Sequence, residues 1–180
     1  MARYFASNPI EVDHLTPFEL EAMQTQLQTQ GFAISPRPIL NSKSRIELHQ
    51  RYEALFRGDF ETGIYPDEWH WRHGLSLPNV TREICNAYKS DRTVASVVLN
   101  ANLAAMAAAL QGWSSVRIGQ DDVIWKPPVA ADDDAANKNN EVMQSNSSPQ
   151  TTIGYHQDSA YISTNFVPYE NNMVTVWIPS

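Results

Sequence analysis

The chain changes from helical to strand-like patterns at Gly112, and this change restricts the fold more than any other feature. Before Gly112, apolar residues recur at helical spacing between clear helix starts and stops. Beyond it, short runs of β-branched and aromatic residues are separated by polar loops. The length of 180 residues suits one domain. We therefore predict a single α+β domain, mainly helical over residues 1–112 and built of strands over residues 113–180.

The helical half has well-marked boundaries. A capping box from Thr16 to Glu19 opens a helix that should run to about Gln30, where Gly31 ends it. Two prolines end a short β segment at residues 32–34. The pattern then predicts a helix, a loop and two more helices over the ranges 42–56, 58–78, 80–89 and 92–111. Within the last, the apolar stretch 94–110 is predicted to be a buried helix too short to cross a membrane.

The second half is predicted to contain strands over residues 115–118, 122–125, 153–162 and 173–178. Residues 129–151 separate the middle two strands and are rich in Asp, Asn, Ser and Ala. Such a composition cannot bury enough apolar surface to offset the entropy of ordering, so we predict a mobile surface insertion. An acidic calcium loop is disfavoured, because the segment lacks the alternating ligands and the glycine of an EF-hand.

The charge and the termini exclude several classes of protein. A net charge of −7 without a basic cluster disfavours binding to nucleic acid. The single cysteine, Cys85, excludes a disulfide framework within the chain. The first ten residues lack the apolar core of a signal peptide. We therefore expect a cytoplasmic protein without nucleic-acid or membrane partners.

A histidine and an aspartate, His156 and Asp158, stand two residues apart within the predicted strand 153–162. Residues i and i+2 of a strand project from the same face about 7 Å apart. An imidazole and a carboxylate so placed could supply two ligands of an iron(II) site with two histidines and one carboxylate. An isolated His-x-Asp is more often an ordinary surface pair, and that alternative stays open on these residues alone.

Two other segments suit the same kind of site. Lys126 follows a predicted strand and precedes Pro127 and Pro128, which would fix an ammonium group against a dicarboxylate. The strand 173–178 carries Trp177, which could line a pocket or simply belong to the sheet core.

Together these segments resemble the phytanoyl-CoA dioxygenase family of iron(II)- and 2-oxoglutarate-dependent oxygenases, whose fold is a double-stranded β-helix (a cupin-like jelly roll). The resemblance implies that His156 and Asp158 bind Fe(II), with Lys126, Gln157 and Trp177 at the site of the co-substrate 2-oxoglutarate. It also implies hydroxylation of a small organic substrate with O₂. The resemblance covers essentially the whole chain.

The chain departs from the family pattern after Asp158. Family members have a distal ligand histidine and a 2-oxoglutarate-binding arginine well downstream, whereas no His, Arg or Lys follows Asp158 here. The sequence also contains fewer predicted strands than a jelly roll needs. We therefore expect an incomplete β-helix, an apparently truncated domain and a chain that is inactive alone. The alternative is a non-catalytic remnant that serves as a binding or dimerisation module.

The segment Trp69–His73 has two histidines among two tryptophans. A structural aromatic cluster is the favoured interpretation. A substrate-recognition loop and a metal site are the alternatives, the latter disfavoured by Pro66 and Gly74 on either side.

Overall fold

The structure, a computed structural model, describes residues 10–127, 158–166 and 173–179. Within these ranges the chain is a mixed α+β protein, with helices packed against a small antiparallel sheet. The elements run in the order α1 (Pro17–Gln30), α2 (Ser42–Phe56), β1 (Glu68–Trp69), β2 (Arg82–Cys85), a 3₁₀ helix (Ala87–Lys89), α3 (Arg92–Val98), α4 (Ala101–Gln111), β3 (Asp122–Trp125) and α5 (Ser159–Asn165).

The first two helices have the predicted boundaries. Thr16 and Glu19 form the reciprocal capping box, in which the backbone N–H of Thr16 donates to the Glu19 carboxylate at 2.7 Å. Gly31 ends α1 in the left-handed conformation that glycine adopts without steric cost. Asn41 caps α2 through a hydrogen bond from the N–H of Ser44 at 2.8 Å.

The predicted helix 92–111 is two helices that meet at Asn100. Its side-chain oxygen accepts from the N–H of Asn102 at 2.9 Å, so Asn100 caps α4 while α3 ends before it. The amide groups of Asn100 and Asn102 also donate to the carbonyls of Ile10 and Val12. These two hydrogen bonds therefore hold residues 10–12 against the junction of α3 and α4.

The apolar span Arg92–Gln111 is long enough and, with a mean hydropathy of 1.7, apolar enough to cross a membrane. This finding rests on length and composition alone, and the span is three residues longer than the predicted stretch 94–110 and is divided at Asn100 into α3 and α4. Helices in the cores of soluble proteins meet the same criteria, and α3 is largely buried here. The fully buried Asp91 directly precedes the first residue of α3 and accepts a hydrogen bond from Arg51 at 2.6 Å.

The core lies between the helices and one face of the sheet. The sheet has the order β1–β2–β3, and both pairings are antiparallel. Its inner face contributes Ile84 and Val123, which are almost inaccessible to solvent. The helices contribute the larger apolar side chains, among them Leu48, Leu55 and Phe56.

Several predicted elements of the second half differ in the structure. The prediction of a helix over 80–89 was wrong, because residues 82–85 pair on both sides as the central strand. The segments 32–34, 115–118 and 173–178 have no regular secondary structure, so none of the three predicted strands forms there. Only the predicted strand 122–125 is confirmed, as β3. The insertion predicted over 129–151 lies outside the described residues.

Candidate functional site

The outer face of the sheet is polar, in contrast to its inner face. Glu68 of β1 lies opposite Cys85 of β2, and Cys85 lies opposite Asp122 of β3. Because side chains alternate along a strand, these three residues and Glu83 project from the same face. We call this set, Glu68, Glu83, Cys85 and Asp122, the polar face.

Three residues of the polar face form a compact group of potential metal ligands. The ligand atoms of Glu83, Cys85 and Asp122 all lie within 4.8 Å of one another. Gln120 borders the group, and its amide nitrogen lies 3.0 Å from each oxygen of Asp122 and 3.6 Å from the sulfur of Cys85. Oxygen and sulfur donors at this spacing could hold one divalent cation.

The thiol of Cys85 is held in its protonated form. Partial burial, and then the hydrogen bond and negative charge of Asp122, raise the pKa of Cys85 well above its usual range. A thiolate is the form that attacks electrophiles or binds metals, so Cys85 is a poor nucleophile at neutral pH. A cation bound here would have to displace that proton.

Helix α5 lies against the polar face. The hydroxyl of Tyr161 donates to the side-chain oxygen of Gln120 at 3.1 Å, and Ile162 is buried. The N–H of Ile162 donates to the carbonyl of Asp158 at 2.9 Å, so Asp158 begins this helix. Asp158 therefore lies about one helical turn before Tyr161, whose hydroxyl contacts Gln120.

The expected strand geometry of the His-x-Asp motif is corrected at Asp158. Residues Ser159–Asn165 are helical, and Asp158 itself has helical backbone angles with φ −74° and ψ −16°. The N–H of Phe166 donates to the carbonyl of Ile162 at 2.9 Å, which is the i to i−4 hydrogen bond of a helix. His156 and Gln157 lie outside the described residues, so their placement beside Asp158 stays a prediction.

The other two predicted site residues are both exposed. Lys126 directly follows β3, and the next residue, Pro127, is buried. Trp177 is 75% exposed in the segment 173–179, whose Ile178 packs against the core. Within the described part of the chain, Lys126 and Trp177 make no hydrogen bond or cation–π contact with each other.

The segment Trp69–His73 is a structural aromatic cluster, as predicted. Trp71 is buried and its indole N–H donates to the carbonyl of Leu77 at 2.9 Å, while Trp69 packs edge-on against Phe60. The two histidines alternate with these tryptophans and are exposed. A role in substrate recognition stays a prediction.

An arginine completes the packing beside this cluster. The guanidinium of Arg82 lies between the rings of Trp71 and Trp125, 4.0 and 4.1 Å from their centroids. Arg82 thus connects β2 to the loop that precedes it and to β3.

Sequence reasoning missed Glu83, Cys85 and Asp122 as a group. The mistaken prediction placed Glu83 and Cys85 on a helix over 80–89, apart from Asp122. The three residues come together only through the register of β2 with β3. The alternation from Arg82 to Cys85, with Ile84 alone fully buried, was the available signal for a strand.

Comparison with known protein families, with curated proteins and with solved structures gives no match for this chain. The resemblance described above thus has neither support nor opposition from relatives. A functional interpretation therefore depends on the motifs of the sequence and on the geometry around β3 and α5.

Proposed function

We propose that the chain carries one half of the metal site of an iron(II)- and 2-oxoglutarate-dependent dioxygenase of the phytanoyl-CoA dioxygenase type. It would hydroxylate a small organic substrate only together with the distal ligand histidine and the 2-oxoglutarate-binding arginine that residues 1–180 lack, and is inactive alone. The observation that carries this proposal is the ordered set of Lys126-Pro127-Pro128, His156-Gln157-Asp158 and Trp177 in one chain. Each motif is weak alone, but their combination and order restrict the interpretation. The helical first half and the antiparallel sheet are compatible with it.

The described residues fit the proposed cofactor in two respects. Lys126 is exposed at the end of β3, and the buried Pro127 restrains the backbone beside it, which suits a cation that pairs with a carboxylate of 2-oxoglutarate. Asp158 is also exposed, so its carboxylate is accessible to a metal ion. His156 would complete an imidazole and carboxylate pair, which is the donor chemistry that suits non-haem iron.

When bound, iron and 2-oxoglutarate would supply the oxidising chemistry with O₂. The chain's own residues would have simpler tasks in this proposal. His156 and Asp158 would hold the metal, while Lys126 would orient the dicarboxylate by charge. Gln157 and Trp177 would line the co-substrate site and exclude water. The finer fold, an incomplete double-stranded β-helix whose first strands lie within residues 113–180 and include β3, belongs to the same proposal.

The second candidate function is a binding or dimerisation module, and one observation favours it. The segment 173–179 has a strand-like sequence and exposes Met173, Val176 and Trp177 to solvent. An exposed extended segment with apolar side chains can add as a strand to another chain. A monodisperse dimer by light scattering that Trp177→Lys converts to a monomer would favour this candidate.

Calorimetric titration of 2-oxoglutarate under anaerobic conditions tests the enzyme proposal. Binding should require Fe(II), and His156→Ala should abolish the iron-dependent binding, whereas His73→Ala, at an exposed histidine of the aromatic cluster, should not. Lys126→Met should weaken 2-oxoglutarate binding about tenfold, the scale of one charge-assisted contact. Lys43→Met, at an exposed lysine of α2, is the matched control. Binding that needs no iron, or equal effects of the two histidine variants, would refute the proposal.

A further inference from the structure

A cleft of about 410 Å³ lies between the C-terminal ends of α1 and α4. Gly31 and Gly112, the residues that end the two helices, both line it. Its remaining walls are carboxamide and leucine side chains, including Gln28, Gln111 and Leu27. None of the residues that line the cleft belongs to the polar face or to the proposed iron site.

The ends of both helices direct partial negative charge to this cleft. The N–H groups of Gly31 and Gly112 donate to the carbonyls of Leu27, Ala108 and Ala109. The carbonyls of the last turn still form the negative end of each helix dipole. Gly31 and Gly112 adopt left-handed angles, with φ of 80° and 69°, which end both helices there. Two negative helix ends at one place repel each other unless a cation lies between them.

No cationic side chain of the described residues fills that role. Neither α1 nor α4 has a basic residue in its last turn, and no charged side chain lines the described cleft. Gln24 crosses between the helices, and its amide nitrogen donates to the carbonyl of Ala109 at 2.6 Å. Gln24 is neutral, so it does not supply the missing positive charge.

We propose that this cleft binds a primary alkylammonium ion. The three N–H donors of the ammonium group match the helix carbonyls and carboxamide oxygens, and the alkyl chain matches Leu27 and Leu110. An anion is excluded by the sign of the helix dipoles. Mg²⁺ and Ca²⁺ are disfavoured because the walls contain no carboxylate, the ligand on which such sites depend.

Titration of the full chain with n-butylammonium chloride, followed by amide NMR shifts, tests this site. We expect saturable shifts centred on Gly31 and Gly112, which weaken with added salt because the attraction is electrostatic. The probe 1-butanol has the same alkyl chain without the charge and should give no saturable shift there. Equal shifts with butanol, or shifts spread over the whole chain, would refute the proposal.

A variant that carries its own ammonium group gives the sharper test. Gln111→Lys places a lysine at the end of α4, where it should fill the site, weaken n-butylammonium binding at least about tenfold and raise the Tm. Gln28→Lys at the end of α1 should act in the same way and serves if the first variant does not fold. Gln50→Lys makes the same charge change on the exposed side of α2 and should leave binding intact. Unchanged binding in the folded cleft variants would overturn the inference, and none of these measurements involves iron.

Discussion

Asp121 shows how one buried carboxylate makes stability depend on pH. One of its oxygens accepts from the N–H of Tyr88 at 3.2 Å, while the other is buried without a hydrogen-bond partner among the described residues. Burial raises the pKa of Asp121 from its ordinary 3.8 to about 6. The folded chain therefore retains a proton on Asp121 that the unfolded chain has already released between these two pH values.

We predict that Asp121→Asn stabilises the chain above pH 6 but not near pH 4. Because the pKa of Asp121 is raised in the folded state, the contribution of its protonated carboxyl to the stability of the wild type is fully present below about pH 4. This contribution is lost as the pH rises through about 6. A difference of about two pKa units corresponds to about 3 kcal/mol at most. Urea unfolding at pH 4, 5.5 and 8 measures the difference, with Asp59→Asn as an exposed control. A gain that is equal at all three pH values would contradict this assignment.

Gly58 occupies a position that no other residue can fill without strain. Its φ is +85°, and a Cβ placed there would lie 2.6 Å from Cη2 of the Trp69 ring. Gly63 has a similar φ of +74°, yet a Cβ there would meet nothing within 4 Å. The two glycines thus separate the cost of the backbone angle from the cost of the clash.

We predict that Gly58→Ala destabilises the fold by about 2–4 kcal/mol, and Gly63→Ala by about 1 kcal/mol. In both variants a positive φ at an alanine lowers the free energy of unfolding, whereas only Gly58→Ala must also displace the Trp69 ring. Thermal unfolding of the two variants under the same conditions measures the difference. Equal losses would show that Trp69 does not pack against Gly58.

At the scale of elements, α3 depends on one buried aspartate. The carboxylate of Asp91 accepts from the N–H groups of Thr93 and Val94, both at 2.9 Å, and from Arg51 at 2.6 Å. Nη1 of Arg51 also lies 3.8 Å from Oδ2 of the exposed Asp59. The same arginine therefore has one buried and one exposed acidic partner.

We predict that Asp91→Ala costs about 3–5 kcal/mol, because it removes the helix cap and leaves the guanidinium without its buried partner. Asp59→Ala removes the exposed partner of the same arginine and should cost less than about 1 kcal/mol. Chemical denaturation of both variants provides the comparison. A loss in Asp59→Ala as large as that in Asp91→Ala would contradict the difference in burial.

Elements set by local signals were predictable, and those set by distant pairing were not. The capping box at Thr16 and the glycine at residue 31 fix α1 within the chain itself. By contrast, β2 is a strand because β1 and β3 pair with it, and its short sequence is compatible with either structure. Residues 173–178 have a strand-like sequence, but the described residues provide no partner strand.

At the scale of the molecule, the sheet separates two environments. On its inner face, Ile84 and Val123 complete the core. The residues of the polar face project from its outer face, beside α5. The residue types of the proposed iron site were readable from the sequence because they follow known motifs. The ligand group of Glu83, Cys85 and Asp122 was not readable, since strand register alone creates it.

The proposed iron site and the ligand group on the sheet predict different mutational effects. The proposed iron site depends on Asp158 at the start of α5, whereas the ligand group on the sheet depends on Asp122. Both are exposed aspartates, so their alanine variants make a matched pair.

The visible absorption spectrum of the chain with Fe(II) and 2-oxoglutarate, recorded without O₂, tests the central proposal most directly. Chelation of iron(II) by 2-oxoglutarate gives a charge-transfer band that neither component gives alone. We predict that the wild type and Asp122→Ala develop this band and that Asp158→Ala does not. A band that survives Asp158→Ala, or one that is lost only in Asp122→Ala, would contradict the proposed iron site.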